Sequence, residues 1–151
     1  MKVSDILRVK GSTLFTVTPQ DPLTQAVQSM ADHDIGSLVV MEQGKLAGML
    51  TFREVIKQVV KNGGAIGASL VRDAMDASPH TSSMDTELDE VRRMMLEHHA
   101  RYLPVMQDHM LMGVISFYDV AKAVVDSQNF ENKMLKAYIR DWPEGEEPNK
   151  T

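Results

Sequence analysis

Cysteine is absent from the 151-residue chain. That absence excludes disulfides, thiolate metal sites and a thiol nucleophile together, and it fits a reducing compartment. No polybasic run is present and the formal charge is −5, so there is no basic field to gather DNA or RNA. Long apolar runs are missing too. The N-terminal MKVSDILRVKGS reads as a short helix and not as a signal peptide, and no membrane span is called for. These features point to a cytoplasmic protein with neither nucleic-acid nor membrane partners. Catalytic signatures are equally scarce, for neither G-x-S-x-G nor H-E-x-x-H occurs. The cluster GGAIG follows a helical stretch, whereas a dinucleotide loop follows a strand and opens a helix; it reads as a linker.

What is present is an ordinary globular composition, 43% hydrophobic and 25% charged, with twelve Met that suit an adaptable core or interface. The chain also repeats itself. GMLTFREV from Gly48 returns as GVISFYDV from Gly113, and the same ungapped step of 65 pairs Thr16 with Thr81, Leu23 with Leu88, Met30 with Met95, His33 with His98, Leu38 with Leu103 and Val55 with Val120. Each copy must then be a supersecondary unit that buries its apolar face against the other.

Copy one begins with an extended stretch from Phe15 to Thr18, and Asp21-Pro22 predicts a helix start with Asp as cap and Pro in the first turn. Leu23, Ala26, Val27 and Met30 follow at helical spacing. SLVVM and LAGMLT form a hairpin about Gln43-Gly44, and a helix runs from about Arg53 to Lys61. Copy two repeats the plan, with Thr86 as cap, Leu88, Val91, Met94 and Met95 facing inward, and a hairpin turn near Asp108-His109. Each unit is β-α-β-β-α, an α/β (α+β) fold, and each is preceded by a lead-in helix, VSDIL and VRDAM. Near the C-terminus Phe130, Met134, Leu135, Tyr138 and Ile139 share one helical face, which is expected to pack on the domain or on a second subunit. The expected organisation is repeat one over 1–62, linker and repeat two over 63–127, a C-terminal helix over 128–142 and a disordered tail over 143–151.

The doubled segment places a Thr or Ser where a strand hands over to a helix, beside unpaired N–H groups and the positive end of the dipole, a natural seat for a phosphate. An acid three residues on is acceptor-only when ionised and can take both ribose hydroxyls. The same spacing is also a capping box, which satisfies backbone N–H groups and nothing else. Asp is the less usual capping partner, so Ser116 with Asp119 leans toward a ligand and Thr51 with Glu54 toward a cap. The adjacent His98 and His99 point about 100° apart on a helix and cannot share a metal as an i, i+4 pair would. No metal site is expected.

Two β-α-β-β-α units of this size, each ending in G-h-h-[TS]-x-x-[DE], with HARYLPV in the second and the lead-ins VSDIL and VRDAM, resemble a tandem pair of cystathionine-β-synthase-type (CBS) domains of the stand-alone bacterial and organellar type. The resemblance implies a pseudo-twofold disc with two clefts, each able to take an adenosine-containing ligand such as AMP, ADP, ATP, NAD or S-adenosylmethionine. It implies that one cleft uses Ile115, Ser116 and Asp119 with Thr16, Val17, Ile35, Gly36 and Ser37. The other uses Leu50, Thr51, Arg53 and Glu54 with His80, Thr81, Ala100, Arg101 and Tyr102. Arg101 stands where that family supplies a phosphate-binding cation, though a solvated arginine fits the position equally well. Glu54 departs from the family's Asp. The function expected is a homodimeric, non-enzymatic sensor of an adenine nucleotide, AMP foremost, that signals to a partner protein. The rivals are a ligand-free interaction module and a nucleotide-processing enzyme.

Overall fold

Gln43 and Gly44 both hold positive φ, 52° and 76°, as do Asp108 and His109 at 49° and 67°. Paired positive φ lets a two-residue loop follow the right-handed twist of a hairpin. Each loop therefore folds a strand back on its predecessor, β2 (Ser37–Glu42) on β3 (Lys45–Thr51) and β5 (Tyr102–Gln107) on β6 (Met110–Ser116). A short parallel strand completes each sheet: β1 (Thr16–Val17) beside β2, and β4 (Ser82–Ser83) beside β5. The repeat extends to the register, since Val17 pairs with Val40 as Ser82 pairs with Val105, and both hairpins carry an irregularity just beyond those partners. This computed structural model describes residues 1–11 and 13–140, so the tail expected over 143–151 lies outside the described residues.

Helices α2 (Leu23–His33) and α5 (Leu88–His98) follow the short strands. Their caps differ from the sequence-based expectation. Neither Asp21 nor Thr86 caps a helix: Asp21 Oδ2 accepts from the Thr18 N–H, Thr86 Oγ1 accepts from the Ser83 N–H, and the cap positions are Pro22 and Glu87 without a side-chain bond. The physical reason is that backbone from elsewhere arrives to do the work. Leu23 N donates to Ser69 O, and Leu88 N donates to Met1 O.

Those carbonyls belong to segments leading into α4 (Val71–Ala74) and α1 (Val3–Lys10). Each lead-in helix precedes one repeat in sequence and packs on the other. Val3, Ile6 and Leu7 of α1 are buried with Val91, Met95, Leu103, Val105, Ile115 and Val120 of the second repeat, and Val71 of α4 is buried with Leu23, Met30, Leu38 and Leu50 of the first. Val3 N bonds Thr86 O, and Val71 N bonds Asp21 O. The Gly-rich linker permits the crossing with positive φ at Gly63, Gly64 and Gly67. It is tied down by buried Gln58, whose amide donates to Asn62 Oδ1 and Ser69 Oγ.

Helices α3 (Phe52–Lys61) and α6 (Phe117–Arg140) leave the ends of β3 and β6 directly. Of the C-terminal helix expected over 128–142, residues 128–140 are the distal part of α6, which runs unbroken for 24 residues, and residues 141–142 lie outside the described residues. Of the two seats expected for this face, the domain or a second subunit, the first is not seen among the described residues, where Phe130, Met134, Leu135, Tyr138 and Ile139 are all exposed. Conversely, Leu23, Met30, Val91 and Met95 are consumed by the two cores. A third cluster, Val39, Met49 and Val114, joins the sheets at the β3–β6 seam. No helix among the described residues is long and apolar enough to cross a membrane.

The two repeat glycines are not equivalent. A Cβ at Gly48 would strike the main-chain carbonyl of Asp76, which is locked to Met49 by two hydrogen bonds, whereas at Gly113 it would meet only Leu7 Cδ2 at 3.0 Å, the movable end of a side chain. Overpacking that cannot relax costs roughly 1–3 kcal/mol. Gly48→Ala is therefore expected to lower the thermal midpoint clearly and Gly113→Ala much less; equal losses in calorimetry would contradict the crossing geometry.

Candidate functional site

Where β3 becomes α3, Thr51 N donates to Glu54 Oε2 at 3.1 Å, the Thr51 hydroxyl donates to the same carboxylate, and Arg53 N donates to Thr51 Oγ1 at 3.2 Å. Where β6 becomes α6, Ser116 N donates to Asp119 Oδ2 at 2.8 Å and Asp119 N to Ser116 Oγ at 3.1 Å. Both segments are thus reciprocal caps. The sequence leans Thr51 with Glu54 toward a cap and Ser116 with Asp119 toward a ligand; a cap is present at both, the shorter Asp119 reaching its own Ser116 N–H just as well. A cap does not exhaust an ionised carboxylate, which offers about four lone-pair sites.

What separates the two acids is a residue that sequence reasoning did not single out. Lys10, the last residue of α1, donates to Asp119 Oδ2 at 2.7 Å and to the Val114 carbonyl at 2.9 Å. The Asp119 side chain is 15% exposed and that of Lys10 37%, the most enclosed ion pair among the described residues. Burial works against ionisation of Asp119, but the Lys10 hydrogen bond, the Ser116 bonds and the Lys10 charge outweigh it and hold the carboxyl below its ordinary value. No spacing rule could have found Lys10, since it lies 109 residues from its partner.

The remaining expected residues fall into three groups. Val17, Leu50 and Ile115 are core side chains, so only their main chain remains for a ligand. Thr16, Arg53, His80, Thr81 and Arg101 are exposed, and Ile35, Ser37, Ala100 and Tyr102 are half-buried. Neither Arg53 nor Arg101 makes an ion pair among the described residues. His80 stacks on His98 with ring centroids 3.8 Å apart, at the position where the first repeat stacks Phe15 on His33 at 4.2 Å. Gly36 and Tyr102, expected in different clefts, come together: a Cβ on Gly36 would collide with the Tyr102 hydroxyl and lie 3.5 Å from Phe52 Cε2. Since Ser37 pairs with Thr51 and Tyr102 with Ser116, the two hand-over points and this Gly36–Tyr102 contact occupy the same ends of the paired sheets. Among the described residues no group of three or more His, Asp or Glu is placed to hold a metal ion.

The Lys10–Asp119 pair has a pH signature. A carboxyl depressed in the folded state stabilises the fold above the ordinary Asp pKa of about 3.9, and this contribution is lost as pH falls through the folded value. Lys10→Met is expected to raise the Asp119 midpoint in a carbon-detected NMR titration and to weaken the acid-side loss of stability. An unmoved midpoint would mean that the ion pair is not maintained in solution.

Comparison with known proteins agrees with this architecture. The CBS domain family matches residues 3–61 and 71–126. The mitochondrial CBS domain-containing protein CBSX3 of Arabidopsis thaliana is 30% identical over 147 residues, covering 91% of this chain and 71% of its own. A CBS-domain protein of known structure from Burkholderia ambifaria MC40-6 is 33% identical with a TM-score of 0.79, covering 85% of this chain and 96% of its own. The same fold is seen at 22% identity and a TM-score of 0.69 in CBSX2 in complex with AMP, covering 84% and 98% of the two chains. It is seen again at 21% identity and a TM-score of 0.74 in the CBS pair of protein MJ0100 with 5′-methylthioadenosine and S-adenosyl-L-methionine, covering 84% and 98%. With two matched repeats that span most of its length, the chain belongs to the CBS domain family.

Proposed function

We propose that the protein is a regulatory module that binds an adenine nucleotide between its two repeats without consuming it and signals the occupancy to a partner protein. The observation that carries this reading is the doubled hand-over, a hydroxyl and a carboxylate at each of two helix starts, with Lys10, Arg53 and Arg101 as cations nearby. Each hand-over combines N–H groups and a helix dipole for a phosphate with an acceptor for ribose hydroxyls. Relatives of the same fold that hold AMP, 5′-methylthioadenosine and S-adenosylmethionine support the ligand class. AMP is the first choice, with ATP, ADP and NAD as candidates, and no metal is invoked.

The two clefts are unequal in this reading, and the Asp119 cleft is the better adenosine site. Hydrogen bonds to a charged group are worth roughly 1.5–3 kcal/mol each. Asp119→Ala is therefore expected to weaken AMP at its cleft about tenfold or more in titration calorimetry, while Glu54→Ala costs that site little. Loss of AMP binding with Glu54→Ala and its retention with Asp119→Ala would reverse the ranking. Chromatography after incubation is expected to return the nucleotide intact; steady product formation lost with Asp119→Ala would establish an enzyme instead.

The reading includes a homodimer. Exposed apolar faces that suit it lie on α3, where Phe52, Ile56 and Val60 are 56%, 62% and 73% exposed at four-residue spacing, and along α6, where Val125, Phe130 and Met134 are exposed. Apolar stripes of this kind mark association surfaces. Sedimentation at micromolar protein is expected to give a dimer that Ile56→Asp dissociates; a wild-type mass that stays monomeric at every concentration would sink this part of the reading.

A further inference from the structure

We infer that Lys10 is a specificity-determining residue of the Asp119 cleft, and that it commits this cleft to adenosine compounds bearing a 5′-phosphate in preference to neutral nucleosides and thioethers. The inference rests on the nucleotide reading above and narrows its ligand class. Lys10 is not an ordinary surface lysine. The other ion pairs among the described residues span 3.5–4.0 Å between largely exposed side chains, whereas Lys10 meets a mostly enclosed carboxylate at 2.7 Å and a main-chain carbonyl at 2.9 Å. Its position is imposed by a rigid element: Ile6 and Leu7 anchor α1 in the second repeat's core, and Gly11 N closes the helix on Leu7 O.

Oδ2 of Asp119 is already held by Lys10 and by Ser116 N, so a ribose whose two hydroxyls bridge the two carboxylate oxygens meets the ammonium at Oδ2. The incoming diol therefore competes with the ammonium. With a neutral 5′ group the ammonium, 37% exposed, gives up its close anionic partner and keeps one protein carbonyl and solvent. A 5′-phosphate offsets that loss, because the flexible four-carbon stem lets the ammonium turn from carboxylate to phosphate and keep an anionic partner. A sulfonium at the same place would meet like charge. Arg101 also lies at this hand-over, where its carbonyl accepts from Phe117 N, but among the described residues Lys10 is the cation that meets the Asp119 carboxylate.

The test is titration calorimetry with AMP and 5′-methylthioadenosine on the full chain and on Lys10→Met, Lys10→Arg and Asp119→Ala, after thermal scans show that each variant folds. The wild type is expected to prefer AMP at the Asp119-dependent site. Lys10→Met is expected to lose AMP affinity roughly tenfold while 5′-methylthioadenosine holds or tightens, and Lys10→Arg to retain the preference. If the ratio of the two affinities is the same in Lys10→Met as in the wild type while Asp119→Ala abolishes both, the specificity role falls and the nucleotide reading stands. If neither compound binds the wild type, or Asp119→Ala leaves both unaffected, the nucleotide reading of this cleft falls and the role of Lys10 with it.

Discussion

The exchange of lead-in helices between the repeats is the constraint on which the rest of the molecule depends. A three-stranded sheet with two helices leaves one side of its core open, and each repeat closes that side with a helix that precedes the other. Val3 and Val71, both fully buried, are the pegs of this exchange, and the backbone bonds Val3 to Thr86 and Val71 to Asp21 lock them. Neither repeat is complete alone, so cooperativity between the halves is built into the covalent chain. The same exchange substitutes for side-chain caps on α2 and α5, whose first N–H groups are satisfied by the arriving backbone.

The candidate site inherits its electrostatics from that exchange. Because α1 lies on the second repeat, its last residue, Lys10, reaches Asp119; among the described residues the shorter α4 makes no equivalent contact, and the hydrogen bonds to Glu54 are those of its own cap. An approximate twofold in the backbone thus carries an asymmetric charge pattern. Asp119 holds a cap, an ion pair and the proposed ribose contact in one carboxylate, so a change at the ligand is felt at the end of α1 and through it in the second core.

Much of this fold is legible in the sequence because repeats, hairpin turns and strand-to-helix hand-overs are local. Gln43-Gly44 and Asp108-His109 sit between short continuous apolar runs, and the step of 65 survives even in strand register. What was not legible is what depends on partners far away in the chain. Asp21 and Thr86 have the right residue types and positions for caps, yet a remote carbonyl takes the helix N–H and leaves their side chains to the preceding turn. The continuity of α6 was hidden because its apolar stripe changes role from core at Val120 to exposed face at Phe130 without any breaker residue. At the site, the two acids and their hydroxyls were visible as motifs, whereas Lys10 was one lysine in a short helix until the fold carried that helix across.

The central claim is that an adenine nucleotide seats on Asp119 and takes Lys10 from it. A crystal structure of the protein grown with AMP tests this most directly. The account predicts ribose hydroxyls on the Asp119 carboxylate, phosphate beside the Ser116 hand-over, and the Lys10 ammonium moved from Oδ2 to a phosphate oxygen with the Ser116 cap preserved. AMP bound elsewhere with the Lys10–Asp119 pair intact at its present 2.7 Å would contradict it.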